Sequence, residues 1–486
     1  MSNNINREEY EDQLFYENLE TDEVLVAKEL KLPAIVEKWV DDATKASNYN
    51  DVPAAFAFFC ILGQLCKDLV AIPSNMNIDD TRLHFLWMQT SGTGKSTLTN
   101  WVKPILKLLN ETLNNKHGTE FNIFDVVEYT DAALIGSIAN ERQSIEDDDG
   151  NVRTVDVKVQ IDGELEGHGL AMWDEFEYSG VFKQSQHKEQ AVVYLNTFMN
   201  TLWGETWVIT KKLKEGEIIV CHCKRSVYAS TYIPKLLTQV ISEKGVLQRM
   251  LIYIHEVPQW QQKLMRRRLI QDWGKIGELE QPKLNYAKNF VTIYETVKER
   301  YEEVDNDPLK VIRFSPNAND ALERECELME RYIIDSRPEV FDVMGSFINR
   351  ILKHIQKLSI LCCIAEAPSI TDKNKRFIVT QNNVLQASSL IRQCYKSLVT
   401  WLDESLRAER ASIADKANIG IFKTVYRESK KNDEGWVNKN ELLQKVREKT
   451  KKSESTIYKW FAKVEEYFDV EKINRTVYVR LSEDIE

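Results

Sequence analysis

Residues 89 to 97 read Gln-Thr-Ser-Gly-Thr-Gly-Lys-Ser-Thr, and these residue types at this spacing suit the holding of a phosphate chain. Small residues let a turn bring successive backbone N–H groups onto one centre, and a helix starting there adds the positive end of its dipole. Ser91, Gly92, Thr93, Gly94, Lys95, Ser96 and Thr97 would line the phosphates. The Lys95 ammonium would reach the β- and γ-phosphates of a nucleoside triphosphate, and the Ser96 hydroxyl would ligate Mg²⁺. The segment meets the pattern G-x-x-x-x-G-K-[ST] at every position but the first, where Gln89 replaces glycine.

Asp174 and Glu175 end the apolar run 169–173, about 80 residues further on. Two carboxylates at the carboxyl end of a buried strand lie where ligands bind in open α/β sheets, and Asp174 would hold Mg²⁺ through water while Glu175 polarises an attacking water. Ser230 and Thr231 close another apolar run. Either hydroxyl would sense a terminal phosphate, and Thr231 is the preferred one. Arg249, in Gly-Val-Leu-Gln-Arg just before a third apolar run, is placed to offer its guanidinium to a neighbouring subunit's γ-phosphate. Arg350, in an amphipathic run, is a candidate for a second phosphate sensor reaching back to the nucleotide. Cys221-His222-Cys223 has the residue types of a zinc site. On a strand, however, the two cysteines share one face and the histidine takes the other, and no second Cys/His cluster completes a tetrahedron.

These groups need strands and helices to present them. The run 83–88 predicts a buried strand, 96–114 a helix interrupted by Pro104, 121–128 a strand, and Thr130-Asp131 a capped helix start. Helices are also predicted over 32–45 and 52–69, the second apolar enough to be buried against the core. Alternation after Asp147-Asp148-Asp149-Gly150-Asn151 predicts a hairpin over 144–168, and 207–220 predicts another with Lys211, Lys212 and Lys214 at a basic tip. Helices follow over 284–301, 317–334, 347–365 and 384–406, and a polar break at 411–416 precedes a last module. That module reads helix 419–429, a short strand at 436–437, helices 439–450 and 453–467, and a hairpin 468–481, which is the winged-helix order. Lys452, Thr456, Lys459, Lys463 and Arg475 would meet nucleic-acid phosphates there.

The chain has 486 residues, is 43% hydrophobic and carries a formal charge of −11. It is too long for one ordinary core, and the acidic balance excludes a surface coated in positive charge while leaving room for basic patches. The eight cysteines are scattered without paired spacing, as expected of reduced thiols in a cytoplasmic protein, and no stretch reaches the length of a membrane span. The expected divisions are a flexible acidic arm over 1–30, helices packing on the core over 31–75, a nucleotide-binding core over 76–260, an α-helical lid over 261–410 and the last module over 418–486.

With these parts placed, the chain resembles the phage- and plasmid-encoded P-loop proteins related to replicative helicases. They share an apolar Ala-rich helix before Ser-Gly-x-Gly-Lys-Ser, here Ser91 to Ser96, and a Gly-x-Leu-x-Arg segment, here Gly245 to Arg249. The order of motifs is also similar to the ATPase end of minichromosome maintenance helicases, with 144–168 as the insertion between the Walker motifs, 207–220 as a pore hairpin and Arg350 as a second sensor. The resemblance implies an α/β fold: an AAA+ P-loop NTPase core with a parallel sheet and β-hairpin insertions, an α-helical domain and a C-terminal winged helix. It further implies ATP and Mg²⁺ as cofactors, a homo-oligomer, most simply a hexamer, and single-stranded or forked DNA as partner, with a primase or loader beside it. A DNA helicase of viral, phage or plasmid replication in the host cytoplasm is the expectation. The alternative is an initiator or helicase loader that binds DNA through the winged helix and uses ATP as an assembly switch.

Overall fold

The computed structural model describes residues 30–47, 51–74, 77–90, 92–125, 130–146, 152–176, 189–200, 208–213, 216–222, 224–233, 245–257, 262–263, 280–302, 310–369, 376–432, 434–473 and 476–481. The arm expected over 1–30 lies outside them, its last residue apart. The chain divides into two compact units, Met1–Thr400 and Trp401–Glu486.

Helices α1 (Ala34–Ser47) and α2 (Asp51–Leu65) open the first unit and precede a short antiparallel pair, β1 (Ile72–Ser74) and β2 (Asn77–Asp79). Every residue from Val52 to Leu65 is buried, so α2 has no polar face to show in its sequence pattern. The Gly-Lys-Ser loop follows β3 (His84–Gln89) and precedes α3 (Lys95–His117). Pro104 does not interrupt α3: it removes one N–H from the ladder, and the acceptor it orphans belongs to the exposed Asn100, where water reaches it.

The chain continues through β4 (Asn122–Phe124), α4 (Asp131–Ile135), the long hairpin β5 (Gly136–Glu146) and β6 (Val152–Asp162), β7 (Gly169–Trp173), α5 (Glu189–Phe198), the hairpin β8 (Val208–Lys212) and β9 (Ile218–His222), β10 (Ser226–Thr231), α6 (Gly245–Gln248) and β11 (Leu251–His255). Five of these strands form one all-parallel sheet in the order β11-β3-β10-β7-β4. All residues of β3, β7 and β10 are buried, as a parallel sheet covered on both faces requires. From β3 the chain travels outward to β4, returns through β7 and β10, and passes β3 to reach β11. The connections leaving the adjacent strands β3 and β10 therefore run to opposite sides, and a crevice opens at their carboxyl ends.

The first hairpin begins earlier than the expected 144, because the register runs from Gly136↔Asp162 to Glu146↔Val152. Gly136 makes the junction: its φ is 101°, and a Cβ there would stand 2.4 Å from Ile161 O. The two hairpins are tied to each other. The Gln160 side chain donates to Val220 O at 2.7 Å and accepts from Val220 N at 3.1 Å, imitating a peptide unit, and Lys158 pairs with Glu217.

The remaining elements are α7 (Glu280–Glu302), β12 (Arg313–Phe314), α8 (Pro316–Ile334), α9 (Pro338–Ala365), β13 (Ile378–Val379) and α10 (Gln381–Glu428). Helix α9 starts at Pro338 rather than near 347, with proline at the first turn, where its missing N–H costs nothing. Helix α10 continues through the polar stretch read as a break, where Ala411, Ala414 and Lys416 are good helix formers. The second unit adds β14 (Val437–Asn438), α11 (Lys439–Thr450), α12 (Glu454–Val464), β15 (Phe468–Ile473) and β16 (Thr476–Leu481), its sheet ordered β14-β16-β15. Phe422, Leu442, Ile457, Phe461 and Val479 form its core. Among the described residues no helix is long and apolar enough to cross a membrane.

Trp39 of α1 pins the helical layer on one face of the large sheet. It is fully buried, makes edge contacts with Phe58, Trp101, Tyr286 and Phe290, and donates from Nε1 to Ala54 O at 2.8 Å. Trp39→Ala should cost about 3–5 kcal/mol of unfolding free energy in urea titration. A loss below about 1 kcal/mol would mean that the layer closes around the gap.

Candidate functional site

The loop after β3 is built by two glycines and one glutamine. Gly92 has φ 76° and Gly94 φ 88°; nothing lies within 4 Å of a Cβ at Gly92, so backbone conformation rather than space requires glycine there. Gly94 caps α3 without a side-chain bond, which leaves the first N–H groups of the helix facing the loop. Gln89, standing where the motif has its first glycine, is fully buried and braces the loop from beneath. It accepts from Trp87 Nε1 at 2.9 Å and donates to both Thr93 O and Thr93 Oγ1 at 2.7 Å. Lys95 Nζ rests on the carbonyls of Gln89 (3.0 Å) and Thr90 (3.3 Å). Thr97 is exposed on the first turn, and Ser91 lies outside the described residues.

Three chain segments meet on Asp174. Ser96 Oγ donates to Oδ2 at 2.7 Å, and Ser230 Oγ donates to Oδ1. Register explains the meeting: Ala229 pairs with both Trp173 and Leu86, so the next residues of β10 and β7 stand level at the end of the sheet. Alternation then turns Thr231 to the opposite face of the sheet, and the hydroxyl on the carboxylate is that of Ser230, not the preferred Thr231. Glu175 is exposed and has φ 62°, a left-handed conformation that a glutamate adopts only under constraint. Two hard oxygens, Ser96 Oγ and Asp174 Oδ2, thus lie side by side below the loop. That donor set fits Mg²⁺, which keeps several waters and takes few protein ligands. Among the described residues no three His, Cys, Asp or Glu side chains form a metal cluster, and of Cys221-His222-Cys223 the last lies outside them.

Arg249 and Arg350 are brought together, away from Lys95. Arg249 precedes β11, and Arg350 lines a pocket with it, Arg82 and His84 at the amino ends of the strands. The six residues of β3 separate the two ends by about 20 Å. Arg350 therefore does not reach back to the loop of its own chain. Arg249 is held by neutral acceptors: Nε donates to Asn200 Oδ1 (3.0 Å), and Nη1 donates to Asn196 Oδ1 (3.1 Å) and Gly245 O (2.7 Å). Burial lowers the pKa of both arginines, and for Arg249 the charge of Arg350 lowers it further. The spacing Asn196-x-x-x-Asn200 was the available signal for this clamp, since residues four apart share a helix face.

The expected DNA contacts divide. Lys212 is exposed at the end of β8, whereas Lys211 sits within the strand, half-buried, 5.9 Å from the centre of the Tyr194 ring. Lys214 and Arg475 lie outside the described residues. Lys452, Lys459 and Lys463 are exposed at or on α12, while the Thr456 hydroxyl lies 2.7 Å from Ser453 Oγ, within the helix cap. Compared with models of known protein families and with curated proteins, the chain matches none.

Gln89→Gly would complete the loop motif yet strand the buried Trp87 Nε1–H. The variant should lose about 1–3 kcal/mol in urea unfolding, and unchanged stability would mean that the brace does not hold the loop. Lys357, buried in the arginine cluster, donates to Arg82 O at 2.7 Å, and burial lowers its pKa from 10.5 to about 7. Between these values the unfolded chain binds the proton and the folded chain does not, so stability rises with pH from about 7 to 10. Relative to Lys357→Met the gain should be on the order of 3 kcal/mol; parallel pH profiles of the two proteins would refute it.

Proposed function

We propose that this chain is a ring-forming AAA+ ATPase that couples ATP hydrolysis to movement along DNA, a helicase or translocase of viral, phage or plasmid replication. The observation that carries the reading is the joining of Ser96, Asp174 and Ser230 under a Gly-Lys-Ser loop, at the crevice of a parallel sheet ordered β11-β3-β10-β7-β4. In this reading the loop is a P-loop whose N–H groups and Lys95 bind the triphosphate. Mg²⁺, when bound by Ser96 and Asp174, supplies charge neutralisation at the β- and γ-oxygens. Glu175 takes the proton of the water that attacks the γ-phosphorus, and ADP departs with the bridging oxygen. Ser230 orients the Asp174 carboxylate.

Arg249 and Arg350 act on the nucleotide of a second copy, because both lie at the opposite end of the sheet from their own loop. This favours a closed ring in which each amino-end face meets the next carboxyl-end face. The paired hairpins carry Lys212 toward DNA as one body, and the helices and three-stranded sheet of Trp401–Glu486 are a winged helix offering Lys452, Lys459 and Lys463 to phosphates. Those exposed lysines also favour the second reading, an initiator or loader for which ATP is an assembly switch.

ATP turnover of the purified protein should rise at least tenfold with single-stranded DNA and fall to background in Lys95→Ala. Glu175→Gln should bind ATP but turn over at least 100-fold more slowly, and Arg249→Ala should lose turnover with assembly intact. Tight duplex binding with slow, DNA-independent turnover would move the reading to the switch. Turnover unchanged in Lys95→Ala would overturn both.

A further inference from the structure

The pocket at the amino ends of the strands brings Arg82, Arg249, Arg350, Lys353 and Lys357 together. Arg82 pairs with Asp80 at 2.8 Å, and Lys353 with Asp79 at 2.7 Å. Arg249 has only amide and carbonyl acceptors, which occupy Nε and Nη1 and leave both Nη2 hydrogens without a partner among the described residues. Arg350 forms no ion pair or hydrogen bond among them. Lys357, below, is buried and donates to the carbonyl of Arg82.

His84 supplies an independent sign that a ligand is missing. Its Nδ1 accepts from Val227 N at 3.2 Å, which fixes the proton on Nε2. That Nε2–H is buried, has no partner among the described residues, and belongs to a residue that is only 4% exposed and lines the pocket. A buried donor without an acceptor costs about 1–3 kcal/mol, a cost removed by an oxygen placed in the pocket. The free volume of 30 Å³ admits oxygen-sized groups and no nucleoside.

We propose that this pocket is a binding site for a phosphoryl oxyanion, gripped by the Arg249 and Arg350 guanidiniums and by the Nε2–H of His84. Planar guanidiniums match tetrahedral phosphoryl oxygens in paired contacts, and Arg249 is already oriented by its asparagine clamp. His84 begins β3, the strand that ends in the Gly-Lys-Ser loop, so an anion here touches one end of the strand whose other end carries Lys95. The oxyanion is either free phosphate or the terminal phosphate of a nucleotide held by a second copy; the second form rests on the reading above, and the site itself does not.

The test measures phosphate binding, not turnover. Inorganic phosphate is titrated by calorimetry and thermal melting into the full chain, against chloride at equal ionic strength, in Lys95→Ala to silence the loop. Binding should persist in Lys95→Ala, weaken at least tenfold when Arg350→Ala is added, and weaken similarly with His84→Phe. His84→Gln, which restores an N–H donor, should recover part of it, and melting in chloride reports whether each variant is folded. Equal affinity in all folded variants, or binding lost in Lys95→Ala alone, would overturn the site. Mixing Lys95→Ala protein with Arg350→Ala protein separates the sources. Recovered ATP turnover supports a phosphate presented by a second copy. No recovery, with phosphate binding intact, supports the free-anion form and overturns the shared one.

Discussion

On the Asp174 carboxylate, a hydroxyl from the start of α3 and a hydroxyl from the end of β10 are received at once. The rest of the large sheet has to be arranged for that to happen. Strands β3, β10 and β7 must be adjacent, parallel and level at their carboxyl ends, which fixes the crossover connections and therefore the helices on both faces. The donors are hydroxyls, not ammonium or guanidinium groups. They satisfy the oxygens of a half-buried carboxylate without cancelling its charge, so Asp174 keeps its attraction for a cation.

The two ends of the sheet are joined by the stretch of chain that leaves Asp174. Beyond it comes α5, a helix of ten residues and so about 15 Å long, whose Asn196 and the following Asn200 hold Arg249 at the amino ends of the strands. The second hairpin lies on the same stretch, since β8 follows α5 and β9 leads into β10. Gln160 and the Lys158–Glu217 pair tie the first hairpin to the second.

What could be read in the sequence was what local spacing determines. The glycines, Lys95 and Ser96 lie in one short run, and Asp174 and Glu175 end one apolar strand, so residue type and position sufficed. The choice between Ser230 and Thr231 did not depend on type: a shift of one residue reverses the face of a strand, and the deciding register with β7 is a tertiary fact. Gln89 read as a departure from the motif because its three bonds are made to a side chain two residues back and a loop residue four ahead. The beginning of the first hairpin was hidden because 136–146 is polar on both sides and lacks the alternation of β6. Helix α10 exceeded its apolar pattern because helix propensity continues it.

The meeting of Arg249 with Arg350 was beyond sequence reasoning, since nothing local links α6 to α9. Burial depresses both guanidiniums and Lys357, and the charge of Arg350 lowers Arg249 further. Among the described residues Asp79 pairs with Lys353 and Asp80 with Arg82. A fold that merely needed packing here would do better with apolar residues of similar volume. An anion would offset this charge, and because the cluster lies beyond the reach of its own Gly-Lys-Ser loop, a phosphoryl group bound there would arrive free or on another copy of the chain.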